Sequence, residues 1–189
     1  MPRKKARQKK PDEIYTYIVV LVDNFEAETE MGVNSDVYHP QYAWASRDED
    51  ALYAMTSQVR INGVCTYPDE RAGDSYHLTL YSDDSPAKWL RATLKEAQLR
   101  DKHGMPKYRT YRGREIPVYD APKGLAVLDK VRGKPEWSAW INVKPRMVAE
   151  TLLLTGQNRQ LFLTLHEWKF ERKHWIRSFG LQTANPEEE

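Results

Sequence analysis

The chain has 189 residues, 40% hydrophobic and 30% charged, with one cysteine and a formal net charge of +2. It is long enough to bury a core without staples, and too apolar for its weak net charge to make it a disordered chain. Its single cysteine, Cys65, excludes an intramolecular disulfide and a thiolate-rich zinc or iron–sulfur site. No apolar run reaches the roughly 20 residues of a membrane span and no signal-peptide pattern opens the chain, so cytoplasm is the expected compartment, with no membrane partner.

The small net charge conceals a strong asymmetry. Residues 1–11 carry six cations and no acid, residues 12–84 carry 15 acids against three cations, and residues 85–186 carry 20 cations against nine acids. The last three residues are glutamates. The expected organisation is a disordered basic arm over 1–11, a single domain over 12–186 with only a weak boundary near residue 85, and an acidic tail over 187–189. Basic arms of this kind bind polyanions without sequence preference, and here Lys4, Lys5 and Arg7 are the natural contacts.

In chain order, Ile14–Val22 is β-branched and aromatic and reads as a central strand covered on both faces. An irregular stretch follows over 27–46, and Leu52, Met55 and Val59 at helical spacing suggest a short helix over 48–58. Val59–Thr66 and Ser75–Ser82 read as strands joined by a turn-rich segment. Ser85-Pro86 has the form of a helix start, a capping serine before a proline that opens the first turn, and this helix is expected to run through Leu99 and stop near Gly104-Met105-Pro106. Lys107–Asp120 reads as a hairpin turning at Arg112-Gly113, with Arg109, Arg112 and Arg114 interleaved with Tyr108 and Tyr111. Gly124–Val131 and Trp137–Val143 form a further expected pair, and Pro145–Leu154 a short helix ending before Gly156.

The last hairpin carries the most specific signal. Gln160–Phe170 alternates strictly: Leu161, Leu163 and Leu165 point one way, and Phe162, Thr164, His166, Trp168 and Phe170 the other. The return strand holds Trp175 and Arg177, and around the turn stand Lys169, Arg172 and Lys173. Rings interleaved with cations can stack bases and hold phosphates. A half-buried sheet with a solvated basic tip has the same pattern.

No phosphate-binding glycine loop occurs, and the five histidines stand far apart without zinc-ligand spacing, so no cofactor and no metal site are expected. Glu167 and Lys169, two apart on one strand, together with Asp120 or Asp129, resemble the D…E-x-K pattern of restriction-type nucleases. That resemblance covers three residues and implies Mg²⁺ at a phosphodiester; an ion pair at the hairpin end explains the same two residues.

The expected fold is α+β: an antiparallel or mixed sheet, with curvature into a barrel left open, and two to three helices. The expected function is non-catalytic binding of single-stranded or structured nucleic acid. The contacts would be Lys4, Lys5, Arg7, Arg109, Arg112, Arg114, Trp168, Lys169, Arg172, Lys173, Trp175 and Arg177. Two other readings are an assembly subunit that joins its acidic first half to the basic second half of another copy or to a protein partner, and the metal-dependent nuclease.

Overall fold

The structure, a computed structural model, describes residues 14–33, 53–83, 93, 95–120, 122–157, 159–170 and 172–188. β1 (Ile14–Val33), β2 (Tyr53–Tyr67) and β3 (Ser75–Asp83) are followed by β4 (Tyr108–Tyr111) and β5 (Arg114–Pro117). Then come β6 (Ala126–Val127), β7 (Asp129–Lys130), β8 (Glu136–Asn142), helix α1 (Pro145–Thr155), β9 (Phe162–Phe170) and β10 (Lys173–Gln182). Eight strands form one sheet in the order β6-β10-β9-β1-β2-β3-β8-β7, antiparallel throughout except where β3 and β8 run parallel. The two edge strands are consecutive in sequence. β6 pairs with β10 and β7 with β8, with only Leu128 between them, so residues 126–130 strap one edge to the other and nearly close a barrel.

The barrel interior takes every second residue of its strands: Ile18 and Val20, Val59 and Ile61, Leu78 and Leu80, Leu163 and Leu165. Each such aliphatic side chain contributes about 1.5–3 kcal/mol by leaving water. Helix α1 packs on β2, β3 and β10 and closes one end with Val148, Thr151 and Thr155. The turn between β2 and β3, with a short 3₁₀ segment at Asp69–Arg71, lies at the opposite end.

The α+β expectation is therefore corrected. β structure makes up 60% of the described residues and helix 10%, with one α-helix among them, so this is a nearly closed, barrel-like β-sheet rather than an α+β fold with two to three helices. The residues expected as a helix over 48–58 are strand from Tyr53 onward. Tyr53, Met55, Val59 and Ile61 also fit a two-residue period, and pairing with β1 selects it. The stretch expected to be irregular is strand through Val33, where Phe25, Ala27, Met31 and Val33 alternate with glutamates; weak β-formers are held there by the partner strand. Residues 34–52 are otherwise outside the described residues, as is 84–92, which holds the start of the helix expected from Ser85. The end of that helix is not helical: Gln98 bridges to Tyr119 in a turn-rich segment. Ile14–Val22 is also not covered on both faces throughout, since only Ile18, Val19 and Val20 are buried.

Among the described residues no helix is long and apolar enough to cross a membrane.

Candidate functional site

The outer face of β1, β9 and β10 carries the aromatic residues. β9 sends Leu163, Leu165 and Glu167 inward, so His166, Trp168 and Phe170 point out. The register sets Tyr15 of β1 and Trp175 of β10 on either side of Trp168. Phe170, Trp168 and Tyr15 form a ladder of nearly parallel rings: centroids lie 4.8 Å and 6.2 Å apart, with interplanar angles of 15° and 13°. Tyr17 continues the row, edge-on to His166 at 4.9 Å.

Cations are seated on these rings. The Arg177 guanidinium lies 5.4 Å from the Trp168 centroid, and the Lys123 ammonium 5.4 Å from Phe170 and 6.0 Å from Trp175. Lys173 lies 5.8 Å from Trp175 on the same face. Each contact of this kind contributes about 0.5–1 kcal/mol at an exposed site. Arg177 reaches its place because the β9–β10 register shifts between Ile176 and Ser178, leaving it as the extra residue of a bulge. Its Nη1 also donates to the carbonyls of Pro122 at 3.4 Å and Lys123 at 3.1 Å, which holds Lys123 over the strip.

The structure thus gathers Trp168, Lys173, Trp175 and Arg177 on one surface. Exposed Lys169 and Arg172 stand at the hairpin end, Arg172 with a left-handed φ of 67° in the turn. Arg109, Arg112 and Arg114 are exposed on the separate two-stranded sheet β4–β5, which packs chiefly on itself. Lys4, Lys5 and Arg7 lie outside the described residues. Tyr15 and Lys123 were not legible as members of the strip. Two tyrosines at alternate positions ahead of an apolar run were a signal for Tyr15; Lys123 had none, because its place depends on a long-range crossing.

The inward face of the same hairpin ends in a charged cluster. Glu167 is 1% exposed. Arg71 Nη1 donates to its Oε2 at 2.6 Å and Nη2 to its Oε1 at 3.0 Å, while His174 Nδ1 lies 2.8 Å from Oε1. A carboxylate only accepts, so Nδ1 is the nitrogen that carries the proton. Arg71 also donates to the Tyr76 hydroxyl at 3.3 Å and sits 4.3 Å over the Trp137 ring, whose Nε1 donates to Asp74 at 2.8 Å. Burial pushes the Glu167 carboxyl up, but the hydrogen bonds and charge of Arg71 and His174 outweigh it and hold the group below the usual carboxylate range. Burial raises the Tyr76 hydroxyl, and pushes the Cys65 thiol up to about 11. Both oxygens of Glu167 are thus taken by Arg71 and His174, and Lys169 is no part of that ion pair. Among the described residues no three His, Cys, Asp or Glu side chains are grouped to hold a metal ion.

Comparison with protein-family models, curated proteins and solved structures finds no match to this chain.

Proposed function

We propose that this protein binds single-stranded or structured nucleic acid without catalysis, through the outer face of β1, β9 and β10, with the cations of residues 3–10 as a non-specific tether. The observation that carries the reading is the ladder of parallel rings with Lys123, Lys173 and Arg177 seated on and beside it. Flexible single strands offer unstacked bases to such rings and phosphates to such cations. The faces of Trp168 are occupied by Phe170, Tyr15 and Arg177, so Trp168 organises the ladder, and the base-stacking ring is Tyr15, which is 67% exposed at its end.

The test is fluorescence anisotropy of labelled single-stranded RNA, single-stranded DNA and duplex DNA. Single strands are expected to bind more tightly than duplex. Tyr15→Ala is expected to weaken binding by about 1–3 kcal/mol, the usual cost of one stacking ring. Trp168→Ala with Trp175→Ala should cost at least as much. Absence of binding at low salt, or binding that disappears entirely when residues 1–11 are removed, would overturn the reading.

A further inference from the structure

Past its pairing with β9, β1 runs on along β2 as a ribbon with no described partner on its outer edge; β2 keeps β3 on its other side as far as Thr56, so only Met31–Val33 and Tyr53–Met55 form a two-stranded tip. β1 pairs with β9 only as far as Leu21, and from Asn24 to Val33 its described partner is β2 alone. Residues 23–33 span about 33 Å at the usual strand rise, and all of them are exposed. The ribbon is amphipathic. Directly opposed pairs place Phe25, Met31, Val33 and Tyr53 on the face continuous with the barrel interior, and Glu26, Glu28 and Glu30 on the other. Phe25 is 41% exposed, Met31 71%, Val33 61% and Tyr53 60%. Large apolar side chains exposed along one face and concentrated at its tip mark a docking site.

A second exposed element has the complementary character. β4–β5 is a separate hairpin turning at Arg112 and Gly113, with φ of 50° and 75°. Arg109, Ile116, Tyr111 and Arg114 share one of its faces, because Arg109 pairs with Ile116 and Tyr111 with Arg114. None of Arg109, Arg112 or Arg114 forms an ion pair among the described residues, and neither does Glu30. Glu26 has only the exposed Arg60 at 3.7 Å, and Glu28 accepts from Gln58. Acidic ribbon and basic hairpin belong to one chain and do not satisfy each other within it.

We propose that the chain self-associates head to tail, the β1–β2 ribbon of one copy receiving the β4–β5 hairpin of the next. Tyr111 and Ile116 cover the apolar ribbon face, and Arg109 and Arg114 reach round the free β1 edge to Glu28 and Glu30. Charge decides between this and a symmetric pairing of two ribbons. Joining two β1 edges would set glutamate against glutamate, which opposes strand pairing. A head-to-tail contact is not self-complementary, so it builds a ring or an open series rather than stopping at a two-fold dimer.

The test is sedimentation velocity of the full chain over a concentration and salt series, with nucleic acid removed. Two charge-reversed proteins are compared: one with Glu28→Lys and Glu30→Lys, the other with Arg109→Glu and Arg114→Glu. All four positions are exposed, and circular dichroism checks that both variants fold. The unaltered protein is expected to associate at low salt and dissociate at high salt. Each variant alone should be monomeric, whereas an equimolar mixture should re-form oligomers, because the basic ribbon of one then faces the acidic hairpin of the other. A protein that stays monomeric at low salt overturns the proposal, and so does a mixture that remains monomeric. A hairpin variant that still associates but loses affinity for single-stranded RNA overturns it too, and assigns β4–β5 to nucleic acid instead.

Discussion

Glu167 is a charge inside a barrel, and its surroundings decide whether it stabilises the fold. A carboxylate with two oxygens in the interior is tolerable only when both are paired, and Arg71 in the β2–β3 turn supplies the planar fork that does so. Removing Arg71 leaves Glu167 buried with Oε2 unpaired and only His174 on Oε1, so Arg71→Met is expected to cost about 3–5 kcal/mol, read from the urea midpoint. The double change Arg71→Met with Glu167→Leu should recover most of that loss, since a buried pair is often no better than apolar residues of similar volume. The pH dependence follows from the depressed carboxyl. A carboxyl whose folded pKa lies below its unfolded value of about 4.3 contributes stability that is fully present above that value. The contribution fades as pH falls through the folded pKa. The stability gap between the unaltered protein and Glu167→Gln is therefore expected to be constant near neutrality and to narrow below about pH 4.3. A gap that widened on acidification would contradict the assignment. Nothing in the sequence joined Arg71 to Glu167, 96 residues apart; an E-x-K pair on one strand pointed to Lys169, which sits at the strand end outside the barrel instead.

At the scale of elements, the strap over residues 124–130 closes the barrel and sets the outer strip. Leu125 N–H donates to the Ile176 carbonyl and Leu128 N–H to that of His174, both at 2.7 Å, and Leu128 is 1% exposed. Gly124 makes the crossing possible. A Cβ there would stand 2.6 Å from the Ile176 carbonyl oxygen and 3.1 Å from the Trp175 Cβ, against backbone that cannot turn aside. Gly124→Ala is accordingly expected to destabilise by about 1–3 kcal/mol, as overpacking does. It should also alter the near-ultraviolet dichroism of Trp175, beside which Lys123 is held. An unchanged denaturation midpoint would show that the strap gives way freely. In the sequence, Gly124–Val131 reads as a single strand paired with Trp137–Val143, and only Asp129–Lys130 makes that pairing. The hairpins joined by short turns were legible, because alternation and turn residues are local: β9–β10 and β4–β5 form where the pattern puts them. A two-residue strand has no period to read, and its partner, β10, lies about 50 residues downstream.

The whole molecule is governed by pairings between distant segments. β1 joins β9 across most of the chain and β3 joins β8 in parallel, so neither the barrel nor the outer strip exists until the ends meet. A single sequence holds the parts of that arrangement without their order. Its charge, by contrast, is legible directly, and it yields a prediction that separates the arm from the strip. Each phosphate neutralised on a single strand contributes about −0.7 to the slope of log affinity against log salt. The arm over residues 1–11 carries six cations, so its removal is expected to flatten the slope by up to about 4 while leaving preference for single strands in place. Stacking on Tyr15 involves no counterion, so Tyr15→Ala is expected to lower affinity at every salt concentration with the slope unchanged. The two changes act through different terms, and the double variant should combine them additively. A Tyr15→Ala protein whose slope flattens while its affinity at high salt is preserved would mean that the strip acts only by charge, and that the ring ladder is structural.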